Sequence, residues 1–170
     1  YYPGSENIHW NKIGSTKVFD AMTVSTEDLY DFHKKENPKI YILPNNLDVV
    51  EWNKQPRTVW DDGFVSIGFI GSAAHGEGIK IIKKPVLDIL KKYPYTKFLV
   101  THIYASYFTD YPEEIKKRVE FIPWIKLKEW PASVKKLGID IGLAPLADNM
   151  FNWAKSNLRW MEYALAHMTP

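Results

Sequence analysis

The chain has 170 residues, 45% apolar and 25% charged, with a net charge of +2. That is one domain, or one domain plus a piece of another, with room for a sizeable core; nothing in the charge balance calls for nucleic acid or an acidic membrane surface. The absence of cysteine excludes disulfides, thiol chemistry and a zinc ribbon and permits a reducing compartment, so the cytoplasm is the expected location. No run approaches the ~20 apolar residues of a transmembrane helix, and no basic-then-apolar signal peptide opens the chain.

In chain order, Tyr1 to Lys17 is polar and aromatic without periodicity and reads as a loop or extended arm. Val18 to Ser25 reads as a short strand. Ser25-Thr26-Glu27-Asp28 opens a helix, with a hydroxyl cap and acids in the first turn; Asn37-Pro38 stops it. Ile40 to Leu43 is a second strand, ended by Pro44-Asn45-Asn46, and Asp48 to Gly63 looks irregular. Phe64 to Ile70 is the clearest strand. A small-residue loop, Gly71 to Gly78, follows, and Ile79, Ile82, Val86 and Leu90 then recur at helical spacing to about Tyr93. Pro85 predicts a kink or a late start in that helix.

Lys97 to Ile103 is a strand, Tyr104 to Tyr111 an aromatic loop, Pro112 to Arg118 a short helix and Val119 to Ile122 another strand. Leu127, Trp130, Val134 and Leu137 mark a helix with Pro131 in its first turn. Ile139 to Leu143 is a strand, and Ala154 to Ala166 a last helix. Alternation of strand and helix from Phe64 onward predicts a doubly wound parallel sheet with helices on both faces. There is no internal repeat, and the stop directly after a helix suggests a fragment.

The candidate site is built on two loops. Gly71 to Gly78 lies between a strand and a helix, where backbone N–H groups and a helix N-terminus favour a phosphate, although it is neither G-x-G-x-x-G nor a P-loop. Ser72 and His75 lie in it; a lone His there is more often incidental. The second loop runs from Pro145 through Asp148 and Asn149. On the expected helix beyond it, Lys155, Ser156 and Asn157 occupy the first turns, and Lys155, Arg159 and Glu162 share one face, either around a phosphorylated sugar or as solvated charges. Asp148 and Asn149 read equally as turn or cap residues. No nucleophile elbow and no metal-ligand spacing is present.

Four passages together resemble the C-terminal domain of GT-B glycosyltransferases of the large retaining group 1 (family 4-like). They are Thr23-Val24-Ser25-Thr26-Glu27 with Ile42 to Asp48 ("V-S-T … L-P-N-x-x-D"), Ile67 to Ser72, Asp140 to Leu146 ("A-D-I-x-L-x-P"), and Lys155 to Ala164 ("K-x-x-L-K-x-x-E-Y-x-A"). The resemblance implies a Rossmann-like nucleotide-sugar-binding domain over residues 51–170, preceded at 1–50 by the tail of an N-terminal domain whose remainder this chain lacks. It implies hexosyl transfer from a nucleoside diphosphate sugar to an acceptor hydroxyl, on an unspecified glycan, lipid or protein, with retention, no metal and no other cofactor. A non-catalytic nucleotide- or glycan-binding module of the same fold, or a doubly wound domain of unrelated function, is the alternative.

By the resemblance, Glu162 is the second glutamate of the E-x7-E pair and meets the donor ribose. Lys155, Ser156, Asn157, Gly71 and Ser72 meet the diphosphate, and Ile122, Pro123 and Trp124 flank the nucleobase. Three departures stand out. The first glutamate is replaced by Ala154, with Asp148 as its candidate substitute on the sugar. The phosphate loop carries Ser72 and Glu77 where arginine and lysine are usual, which leaves Lys155, Arg159 and backbone amides to neutralise the diphosphate. The last helix ends at His167 where glycine is usual.

Overall fold

The computed structural model describes residues 16–169; the expected N-terminal arm lies, up to residue 15, outside them. The chain divides into two compact units, Tyr1–Asn46 with Asp148–Leu158, and Leu47–Ala147 with Arg159–Pro170. The sequence division put everything from residue 51 in one domain, whereas Asp148–Leu158 groups with the N-terminal stretch.

In the first unit, strands β1 (Met22–Val24) and β2 (Ile40–Ile42) pair in parallel, joined through helix α1 (Glu27–His33). β1 is shorter than the expected strand because Thr16–Val18 forms a 3-10 turn. Thr26 caps α1, its hydroxyl accepting from Leu29 N, with Glu27 and Asp28 in the first turn as expected. Buried Asn37 holds the return: its Nδ2 donates to the carbonyls of Thr16 and Phe19, both at 3.0 Å.

The second unit carries helix α2 (Val49–Asn53), then β3 (Val65–Phe69), α3 (Gly76–Lys92), β4 (Thr96–Thr101), α4 (Glu113–Lys116), β5 (Val119–Ile122), α5 (Trp130–Lys136), β6 (Ile141–Gly142) and α7 (Leu158–Leu165), the last beginning at the unit boundary; α6 (Met150–Trp153) belongs to the first unit. Its four strands lie in the order β5-β4-β3-β6, all parallel. β3, β4 and β5 are laid side by side in chain order, and β6 returns to the other side of β3. This reversal places a topological switch point between β3 and β6.

Side chains alternate between the faces of each strand. Ile67, Phe69, Phe98, Val100 and Val119 pack with Ile79, Ile82, Val86 and Leu90 of α3. On the opposite face, Leu99 and Ile122 pack with Val134 of α5, with Tyr163 of α7 and with Ala166 just beyond it. Both faces are covered, and the sheet is doubly wound as the strand–helix alternation predicts. Gly142 is required by this packing: a Cβ there would lie 2.5 Å from the buried Tyr163 ring.

Several local expectations change. Asp48 caps α2, its carboxylate accepting from Glu51 N at 3.0 Å, so the stretch read as irregular contains a helix that buries Trp52. α3 starts at Gly76 and continues past Pro85, which rules out a late start. The aromatic Tyr104–Tyr111 segment is largely a 3-10 helix (His102–Phe108) rather than an open loop, with Tyr104, Phe108 and Tyr111 buried in the core. Burial costs each phenol its water. The Tyr104 hydroxyl donates to Ser72 O and the Tyr111 hydroxyl to Lys83 O.

The largest correction concerns the last helix. Ala154 to Ala166 is not continuous: α6 ends at Trp153, capped at its start by Asn149, and α7 begins at Leu158. Lys155, Ser156 and Asn157 therefore lie in a connector, not in the first turns of a helix, and the shared helical face inferred for Lys155, Arg159 and Glu162 does not exist. α7 ends in a paired turn, with His167 N donating to Ala164 O and Met168 N to Tyr163 O, both at 3.0 Å. His167 takes the left-handed φ of 58° that glycine usually supplies there. Thr169 then bridges Ile141 in parallel, so the chain turns back along β6.

Candidate functional site

The C-terminal ends of the second unit's strands open onto a cleft of about 230 Å³. β3 delivers Ile70, Gly71 and Ser72 to it, and β4 delivers Thr101. The turn after β5 contributes Pro123, Trp124 and Ile125, and Leu127 and Trp130 follow from the entry to α5. α7 adds Arg159 and Glu162. The walls are mainly apolar, and these two are their only charged side chains. Trp124 is 71% exposed at the cleft.

Gly71, Ser72, Pro123, Trp124, Arg159 and Glu162, singled out from three separate stretches of sequence, thus meet in one cleft at the strand ends. Ile122 does not join them: the last residue of β5 points into the core and packs against Leu99 and Val134. His75 lies beside the loop, its Nδ1 3.3 Å from Ser72 O and 3.4 Å from Ser72 Oγ, and is not among the cleft's lining residues. Asp148, Lys155, Ser156 and Asn157 belong to the first unit and do not line the cleft.

The phosphate-loop reading changes in one respect. The backbone N–H of Gly71 donates to Thr101 Oγ1 at 3.1 Å, and that of Ile70 to the buried Tyr163 hydroxyl at 3.4 Å. These two donors hold the loop to the sheet and to α7 and are not directed at a ligand. Thr101 and Tyr163, which the sequence reading missed, fasten the loop; the polar end of an otherwise apolar strand and a Tyr one position past a helical acid were the available signals.

Arg159 and Glu162 form the polar centre. Trp130 Nε1 donates to Glu162 Oε1 at 2.8 Å. Arg159 Nη1 lies 3.2 Å from Glu162 Oε2, yet at an angle that makes no hydrogen bond, so a buried N–H has a charge partner but no acceptor. The guanidinium is held over the Trp130 ring at 5.4 Å and near the Tyr163 ring at 6.0 Å. Burial pushes the Glu162 carboxyl above the usual carboxylate range; Arg159 and the Trp130 donor oppose this without cancelling it.

In the first unit, Asp148 Oδ1 accepts from Trp153 Nε1 at 2.7 Å, and the Lys155 ammonium sits 4.5 Å from the Phe151 ring centre. Burial pulls the Lys155 ammonium below the ordinary lysine value. Asn45 Nδ2 donates to Ser156 Oγ at 2.7 Å. Among the described residues, no cluster of three or more His, Cys, Asp or Glu could hold a metal, and no helix is long and apolar enough to cross a membrane.

Away from the cleft, Asp140 at the head of β6 is structural. It accepts from Ser66 N at 2.9 Å and Ser66 Oγ at 2.8 Å, and pairs with Arg57 at 2.6 Å. Burial pushes its carboxyl up, but these hydrogen bonds and the guanidinium outweigh burial and hold it below the usual range.

No family model and no curated protein sequence matches this chain. In three dimensions it is similar to the crystal structure of TarM, a glycosyltransferase of GT-B type, with a TM-score of 0.51 and 12% identity. The chain has a Rossmann-like fold. The match covers 72% of this chain and 24% of TarM, so the chain spans about a quarter of that protein's length. At this identity the likeness is one of fold.

Proposed function

We propose that this chain is the donor-binding part of a retaining glycosyltransferase that takes a nucleoside diphosphate sugar. The observation that carries the proposal is the cleft at the C-terminal ends of β3, β4 and β5. There a buried, acceptor-less guanidinium N–H of Arg159 meets a carboxylate, Glu162, and an exposed aromatic, Trp124.

In this reading Arg159 takes a phosphoryl oxygen, replacing the cations missing from the loop at Ser72 and Glu77. Charge-assisted hydrogen bonds of this kind are roughly twice as strong as neutral ones. Glu162 keeps lone pairs for a ribose hydroxyl after accepting from Trp130. Trp124 and Pro123 flank the base, and Gly71 and Ser72 lie beneath the phosphates with His75 bracing their loop. The chemistry is positioning of the donor and stabilisation of the departing diphosphate, with no metal and no further cofactor. The acceptor and its site belong to a domain not contained in this chain, so the chain by itself binds nucleotide weakly and transfers nothing.

Titration with UDP, GDP and ADP, alone and as their sugars, tests this. Saturable binding to one base series, lost in Arg159→Ala, is expected. Binding to none of them, also by a longer form of the protein that includes the acceptor domain, favours a non-catalytic module; turnover by the isolated chain removes the claim that it is inactive.

A further inference from the structure

Arg159 and Glu162 stand at i and i+3 on α7, the spacing at which opposite charges meet along a helix. A guanidinium and a carboxylate so placed favour two parallel N–H···O bonds, and a buried N–H left without an acceptor is costly. Yet Arg159 Nη1 stops 3.2 Å from Glu162 Oε2 and forms no hydrogen bond. The pair is open where its spacing would close it.

Trp130, the first residue of α5, touches both ions. Its Nε1 donates to Glu162 Oε1 at 2.8 Å, and its ring carries the Arg159 guanidinium at 5.4 Å. The N–H of an indole lies in the plane of the ring, whereas its π face looks out of that plane. One side chain thus holds the carboxylate at its edge and the guanidinium over its face, which turns the two flat ions away from edge-to-edge pairing. The Tyr163 ring, 6.0 Å from the guanidinium, supports the same placement. Trp130, Arg159 and Glu162 all belong to the second unit, and all line the cleft.

We infer that Trp130 is a positioning residue that holds the Arg159–Glu162 pair open, so that the Arg159 N–H stays available to a phosphoryl oxygen and Glu162 Oε2 to a ribose hydroxyl. The inference rests on the donor-binding reading for its purpose and on the geometry of the three side chains for its mechanism. Closed on each other, the two ions would bind a ligand only by breaking their own bonds. Held apart, they are pre-organised for it.

Two experiments test it. Crystal structures of the chain and of Trp130→Phe, with Trp130→Leu as a second variant, read the mechanism without a ligand. Phenylalanine keeps an aromatic face for Arg159 and removes the N–H that holds Glu162; leucine removes both. The native pair is expected to stand open and the variant pair to close into an Arg159–Glu162 hydrogen bond. A pair closed in the native chain, or open in a folded variant, overturns the inference. Calorimetric titration with UDP, GDP and ADP reads the purpose. Trp130→Phe is expected to weaken binding about tenfold in the native background. In Glu162→Ala, where no carboxylate remains for Arg159 to close on, the same change is expected to cost no more than about twofold. An equal loss in both backgrounds means that Trp130 meets the nucleotide itself, and no loss in the native background means that an open pair does not serve the ligand. Either result overturns the positioning role and leaves the donor reading intact. If the native chain binds no probe, the donor reading fails and takes the ligand roles with it, and the crystal structures still decide whether Trp130 holds the pair.

Discussion

Two halves of one expected site behave differently. Gly71, Ser72, Pro123, Trp124, Arg159 and Glu162 come from two strand ends and one helix and meet in a single cleft. Asp148, Lys155, Ser156 and Asn157 are neighbours of Arg159 and Glu162 in sequence, yet they fold into the other compact unit, tied to Thr26 and Asn45. Proximity along the chain was the poorer guide. A parallel sheet gathers distant loops at its C-terminal edge, whereas a break in a helix parts residues three or four positions apart.

The strongest way to break this comparison is Arg159→Ala against Lys155→Ala. Arg159 holds a buried N–H without an acceptor, and a charge-assisted hydrogen bond is worth about 1.5–3 kcal/mol. Its loss is expected to weaken UDP, GDP or ADP binding roughly 10- to 100-fold. Lys155 rests on Phe151 in the first unit, and its loss is expected to leave binding unchanged. Calorimetric titration that ranks Lys155 above Arg159 would put the centre of the anion site in the first unit.

Asp140→Asn sharpens the comparison from the structural side. The Asp140 carboxylate ties the heads of β3 and β6 through Ser66 and Arg57 and never meets the cleft. Partly exposed, it is expected to contribute about 1 kcal/mol at pH 7 after screening. Its folded pKa lies below the unfolded value of about 3.9, so the contribution is complete above that pH and disappears as pH falls through the folded value. Urea melts should show native and variant converging in acid, with nucleotide binding at pH 7 unaltered.

Glu162→Gln gives the smallest effect on stability and the clearest sign. Burial raises the folded pKa above the unfolded value of about 4.3. The contribution of Glu162 is therefore fullest below that pH and is lost as pH rises through the folded value. Glutamine is neutral and keeps an acceptor for Trp130 Nε1, so the variant is expected to melt at the native temperature or about 2 °C above it at pH 7, with no gain at pH 4. Nucleotide affinity should fall all the same. A lower melting temperature at pH 7 would mean that the Arg159 pair outweighs burial and that Glu162 serves the fold.

Much of this was legible in the residues. Alternating apolar strands and the Ile79–Leu90 periodicity are local properties, and they sufficed for the doubly wound sheet. The Thr26 cap with Glu27 and Asp28 was readable because a cap is satisfied within one turn. The break at 154–157 had a signal too: Ser156 and Asn157 are residues that favour caps over helix interiors, and they announce a helix starting at Leu158. The apolar spacing of Trp153, Trp160, Met161 and Tyr163 concealed it.

What the sequence determined by itself was the order of the elements, their parallel arrangement and the residue types brought to the strand ends, because these follow from periodicity and from chirality. Only the tertiary structure decided which of those residues meet. It engaged the Gly71 N–H with Thr101, buried Ile122, set Arg159 over the Trp130 ring and fastened the connector to Thr26 and Asn45. Each of these is a hydrogen bond or a packing contact across tens of residues, and no window of sequence contains both partners.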